Sequence, residues 1–94
     1  MNVKMTQKRS AWSYEECLER IVSPVQREVF LIIDQWWKKF GFSPSLRDIA
    51  RVRGVGLSTT KKTVDALVEL GVIKRLDKTV RSIRPVYLNF RNLD

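Results

Sequence analysis

Between Ser45 and Gly71 the chain sets two short amphipathic stretches on either side of Gly54-Val55-Gly56, each with its own start and stop signals. Ser45 supplies a hydroxyl N-cap, and Asp48 stands at N3, near the positive end of the helix dipole. Leu46, Ile49 and Ala50, with Val52 or Arg53 at the end, complete a short helix. A second helix begins near Leu57 or Ser58 and stops at Gly71, where a left-handed cap is natural. A three-residue break containing glycine between two such helices is the sequence form of a helix-turn-helix.

Upstream, Ser13-Tyr14-Glu15-Glu16 has the form of a capping box and predicts a short acidic helix over 13–21. Ser23-Pro24-Val25-Gln26 opens a longer helix, with proline at its first position and Gln26 able to return a bond to the cap. Val25, Val29, Ile32 or Ile33, Trp36 and Phe40 recur at spacings of three and four, a buried stripe that ends at Gly41. Trp37 lies beside that stripe, as core or as an exposed platform. After Gly71 the period changes. Val72–Leu76 and Val80–Arg84 flank Asp77-Lys78-Thr79 and predict a two-stranded hairpin with a basic tip, ended by Pro85. The apolar segment Val86–Phe90 must pack on the core or across a partner chain.

The expected fold is therefore mainly α with a small β-hairpin: a winged helix-turn-helix, with a three-helix core, a wing and an extra N-terminal helix. Residues 1–12 form a basic arm and 13–94 a single domain, since a chain of 94 residues buries only roughly 60–65% of its unfolded surface. One cysteine, Cys17, allows no internal disulfide, and the absence of histidine disfavours zinc. The longest apolar run, Val29–Ile33, is far short of the roughly 20 residues that span a bilayer. No metal, cofactor, small-molecule ligand or membrane is expected, and the location is cytoplasmic, at the nucleoid.

Charge narrows the class of partner. The net charge is +8, and residues 36–64 hold Lys38, Lys39, Arg47, Arg51, Arg53, Lys61 and Lys62 against Asp48 alone. Such a concentration suits a polyanion, because neutralising phosphates releases condensed counterions; a merely basic soluble surface is the competing reading. On the second helix of the motif, Leu57, Thr60, Val64, Leu67 and Val68 share one side. Ser58, Thr59, Lys62, Ala66 and Glu69 then point away, flanked by Lys61, Thr63 and Asp65. Hydroxyls and lysines in the first two turns, with acids only from Asp65 onward, fit a major groove. The candidate DNA contacts are Ser58, Thr59, Lys61, Lys62 and Asp65 on this helix. Phosphate contacts are expected from Ser45, Arg47, Arg51 and Arg53, from Lys74, Arg75, Lys78, Arg81 and Arg84 on the wing, and from Lys4, Lys8 and Arg9 on the arm.

VSPVQREVFLIIDQW followed by GFSPSLRDIARVRGV is similar to the DNA-binding domain of LexA-type repressors, over about residues 22–84. The block Ser45–Arg75 also resembles GntR-like and MarR-like winged helices. The resemblance implies a recognition helix at 58–70, a wing at 72–84 and an extra helix and tail (85–94) outside the family core. It is a resemblance without the peptidase half and without a self-cleavage site, so damage-triggered autoproteolysis is not implied.

An enzyme is the weakest expectation, for want of histidine, a phosphate-binding glycine loop or paired carboxylates. The leading one is a sequence-specific double-stranded DNA-binding protein, a small transcriptional repressor of the kind found in phages and mobile elements. The alternative is a winged helix used in replication initiation or protein docking. A module of this size needs two copies to read enough base pairs, which predicts a homodimer built from the N-terminal helix, from Tyr87, Leu88 and Phe90, or from both.

Overall fold

The computed structural model describes residues 12–75 and 81–88. Within them the order is α1 (Tyr14–Arg20), α2 (Pro24–Phe40), α3 (Leu46–Arg53), α4 (Leu57–Leu70), β1 (Ile73–Arg75) and β2 (Ile83–Pro85). This is the expected winged helix-turn-helix. The arm residues Lys4, Lys8 and Arg9, the wing residue Lys78 and the tail residue Phe90 lie outside the described residues.

The helix boundaries follow local chemistry. At α1 the Ser13 Oγ accepts from the Glu16 N–H at 3.1 Å, and Glu16 Oε1 accepts from the Ser13 N–H at 2.8 Å. The same reciprocal box opens α3, where Ser45 and Asp48 exchange two bonds of 3.0 Å. At α2 only half of the expected box forms: Ser23 Oγ accepts from the Gln26 N–H at 3.3 Å, while Gln26 Oε1 is buried without a partner. Gly54 and Gly71 close α3 and α4 with φ of 72° and 84°, the left-handed region that side chains disfavour.

β1 packs on α4 and β2, while the helices α3 and α4 and the strand β2 pack on α2. Val29, Phe30 and Ile33 are fully buried there, with Cys17 and Ile21 from the α1 side, Ile49 from α3, Val64 and Leu67 from α4, and Val72, Ile73 and Ile83 from the hairpin. Burial pushes the Cys17 thiol up to about 11, so it packs as a neutral group. Because Cys17 and Ile21 belong to this cluster, α1 is part of the folding unit and not an appendage.

The buried stripe of α2 is rotated from the expected one. Val29, Phe30 and Ile33 line it, with Trp37 half-buried, whereas Val25 is 41% and Phe40 47% exposed. Ile32, Trp36 and Phe40 instead line a shallow surface groove with Gln35, Lys39 and Val52. Leu57, expected on the buried side of α4, is also largely exposed. Two overlapping stripes run along α2, and the hairpin decides between them: Trp37 Nε1 donates to the Ile83 carbonyl at 2.8 Å, which turns Trp37 inward.

The hairpin pairs antiparallel with Ile73 opposite Pro85, Lys74 opposite Arg84 and Arg75 opposite Ile83. Among the described residues the second strand is Ile83–Pro85, and Arg81 and Ser82, expected within it, precede the pairing; Val80 and the expected turn at Asp77-Lys78-Thr79 lie outside the described residues. The cause is tertiary. Ile83 is fixed from both polar groups, its N–H donating to Ser43 Oγ at 3.0 Å and its carbonyl accepting from Trp37. After Pro85 the chain folds back on the core: Val86 N–H donates to the Val72 carbonyl at 3.0 Å, and the Tyr87 ring meets Tyr14 edge-on at 5.5 Å and Phe30 at 6.4 Å.

Two glycines separate strain from capping. Gly54→Ala forces a side chain into φ 72° and is expected to cost about 1–2 kcal/mol. Gly56, at φ −75° with open space around it and no side-chain cap, is a position where Gly56→Ser should add a few tenths of a kcal/mol, roughly. Urea unfolding of the two variants beside the parent checks both signs.

Candidate nucleic-acid interface

The outward face of α4 begins with exposed hydroxyls and lysines. Ser58, Thr59, Lys61 and Lys62 are exposed over the first two turns. Thr60, between them, is buried and spends its hydroxyl on the Gly56 carbonyl at 3.0 Å. Lys61 Nζ lies 3.0 Å from Asp65 Oδ2, and Arg75 Nη1 lies 4.0 Å from the other oxygen of the same carboxylate. Asp65 is therefore flanked by two cations, which offsets the one acid near the start of the helix. Among the described residues, Arg47 on α3, Lys62 on α4 and Lys74 on β1 are exposed and form no ion pair within the chain. Arg51 is 75% exposed, with Asp48 Oδ1 3.9 Å away.

Other expected contacts are buried or engaged within the chain. Arg84 is 1% exposed, its guanidinium 5.2 Å from the centre of the Trp37 ring, so it packs in the interior and does not face a wing-bound phosphate. Arg53 is mostly covered and sits 3.3 Å from Glu28. Ser45 is buried, with its hydroxyl engaged as the α3 cap. Arg81 reaches the Asp48 carboxylate at 2.9 Å and the Ser43 carbonyl at 3.0 Å. The Ser45 N–H, the Ser45 hydroxyl and Arg81 together hold the Asp48 carboxyl below its usual range, against a smaller opposing push from burial. Its contribution to stability is present above about pH 4 and is lost as pH falls through the lowered folded value.

The acidic helix lies at the opposite end of α4 from Ser58–Lys62. Arg20 Nε donates to the Leu70 carbonyl at 2.9 Å, and the same guanidinium lies over the Trp12 ring at 4.5 Å. Glu15, Glu16 and Glu19 are exposed on that helix, and Leu70 lies about 12–18 Å along the α4 axis from Ser58–Lys62. Among the described residues no group of histidine, cysteine and carboxylate side chains could hold a metal ion, and no helix is long and apolar enough to cross a membrane.

A family model described as the LexA DNA binding domain matches residues 19–82. The chain belongs to the LexA DNA-binding domain family. No curated protein matches its sequence significantly. In this LexA-family domain the matched segment runs from the end of α1 to the residue before β2, so it contains the helix-turn-helix and the first strand of the wing. DNA is accordingly the partner, and the protein is a DNA-binding regulator by family. The exposure of the α4 face and of Arg47 agrees with the sequence pattern, whereas the burial of Arg84 and the ion pairs of Arg53 and Arg81 are not marked there. Their partners Glu28, Asp48 and Trp37 are remote in sequence, and no local signal marks such pairs.

The two classes of basic residue should respond differently to substitution. Lys62→Ala is expected to weaken binding to a preferred duplex by about 1–3 kcal/mol and to relax its sequence preference. Arg84→Ala should lower the unfolding free energy by about 2–4 kcal/mol through lost packing, with sequence preference unchanged. Competition binding and denaturation of both variants check the division.

Proposed function

We propose that the protein is a sequence-specific double-stranded DNA-binding repressor that acts in the cytoplasm as a homodimer on two half-sites. The observation that carries this reading is the start of α4, where Ser58, Thr59 and Lys62 face outward and the nearest acid, Asp65, is flanked by Lys61 and Arg75. Short hydroxyls can approach base edges, and Lys62 can reach a guanine acceptor or a phosphate. Arg47 and Arg51 on α3 and Lys74 beside the wing supply backbone contacts on either side. Repression then needs only occupancy of a promoter, with no effector domain and no enzymatic step.

One recognition helix covers too few base pairs for a unique genomic site, which supports two copies with their α4 helices about 34 Å apart. The surface proposed for pairing is the exposed acidic side of α1, since it lies away from the reading face and would be repelled by phosphate. Tyr87 contributes less than the sequence suggests, because its ring is engaged with Tyr14 and Phe30 in its own chain.

A second reading, a winged helix that docks on a protein, draws support from the groove of Ile32, Trp36, Phe40 and Val52. Salt separates the two. If roughly 5–8 phosphates are contacted per chain, duplex affinity should fall by about two or more decades between low and moderate salt. A footprint on DNA selected from the source genome should then cover two half-sites one helical turn apart. A flat salt response, or a single half-site bound at full affinity, contradicts the proposal.

A further inference from the structure

The root of the wing is tied to the helix-turn-helix by one carboxylate. Asp48 Oδ2 accepts from the Ser45 N–H at 3.0 Å, closing the α3 cap, and from Arg81 Nη1 at 2.9 Å. The same Arg81 nitrogen donates to the Ser43 carbonyl at 3.0 Å, and the guanidinium lies 5.3 Å from the centre of the Phe42 ring. Two residues on, the Ile83 N–H donates to Ser43 Oγ, while that hydroxyl donates to the Pro44 carbonyl at 2.7 Å. The segment from Phe42 to Asp48 therefore grips the chain at Arg81 and Ile83, where it returns from the wing. Arg81 keeps 46% of its side chain in solvent, yet its Nη1 is engaged by a carboxylate and a carbonyl of its own chain.

We propose that Asp48 and Arg81 form a clasp that sets the wing at a fixed distance from α3, making both of them positioning residues for DNA binding and Arg81 no phosphate ligand. This rests on the DNA-binding reading above. Its physical content is preorganisation: Arg47, next to Asp48 on the first turn of α3, and the cations of the wing must meet phosphates at once. A wing held at the right angle loses less freedom on binding than a free one. The clasp also sets an unusual sign. Removing an acid from a protein of net charge +8 should tighten its binding to a polyanion on Coulombic grounds. If Asp48 acts by holding Arg81, removing its charge should weaken binding instead.

The test is a double-substitution cycle on the full chain with Asp48→Asn, Arg81→Gln and both together, plus Arg81→Lys as the conservative variant. Asparagine can still accept from the Ser45 N–H, so α3 keeps its cap. With a selected duplex, Asp48→Asn is expected to bind about threefold to tenfold more weakly at unchanged salt dependence. Arg81→Gln should lose a similar factor, the double variant no more than either alone, and Arg81→Lys should recover part of the loss. Binding by Asp48→Asn equal to or tighter than the parent overturns the clasp. So does a drop of about one released ion in the salt dependence of Arg81→Gln with losses that multiply in the double variant, the signature of a direct phosphate contact. A readout without DNA keeps the two proposals apart. The Ile83 amide should exchange with solvent about threefold to tenfold faster in Asp48→Asn than in the parent, and an unchanged rate overturns the clasp whether or not the parent binds duplex. A parent that binds no duplex while its Ile83 amide responds as expected removes the functional reading and leaves the clasp standing as a wing-to-helix restraint.

Discussion

The backbone of Ile83 is the point on which the rest of the arrangement depends. Its carbonyl accepts from Trp37 on α2 and its N–H donates to Ser43 in the link to α3, so both polar groups of one buried strand residue are satisfied by side chains. A buried peptide group without partners costs about 1–3 kcal/mol for each group left unsatisfied, so this position is strongly specified. From it follow the inward turn of Trp37, the rotated face of α2, the late start of β2 and the burial of Arg84 against the Trp37 ring. The wing is thereby locked to the helix that also carries the core residues Val29, Phe30 and Ile33.

That lock divides the cations into two groups. Arg53, Arg81 and Arg84 lie against Glu28, Asp48 and Trp37, where a planar guanidinium can satisfy several directions at once. Lys62, Lys74 and Arg47 remain exposed and form no ion pair among the described residues. Net charge alone does not distinguish these groups, because a paired cation contributes little to the field outside the protein. The face that can meet phosphate is narrower than the composition suggests, and it is concentrated at the helix-turn-helix.

Features set by neighbours along the chain are legible in the amino-acid sequence. The caps at Ser13, Ser23 and Ser45 and the stops at Gly41, Gly54 and Gly71 all stand where their local chemistry puts them. So does the exposed run of Ser58, Thr59, Lys61 and Lys62. Features set by distant partners are not legible in this way. Periodicity offers two stripes on α2 and has no means of preferring Trp37 over Trp36. Local hairpin rules place Arg81 and Ser82 within the second strand, yet the pairing begins at Ile83, where Ser43 and Trp37 hold the backbone. The internal partners of Arg53, Arg81 and Arg84 are hidden for the same reason; Asp48 and Arg81, for example, are 33 positions apart.

The central proposal is that DNA meets the start of α4 and the exposed cations beside it, while Arg53, Arg81 and Arg84 hold the frame. Amide chemical-shift mapping during titration with a selected duplex measures this residue by residue. The account predicts the largest changes at Arg47 and from Ser58 to Lys62, smaller ones at Lys74, and almost none along α1 or around Trp36 and Phe40. Changes centred on the groove of Ile32, Trp36, Phe40 and Val52, with Ser58–Lys62 silent, would contradict it.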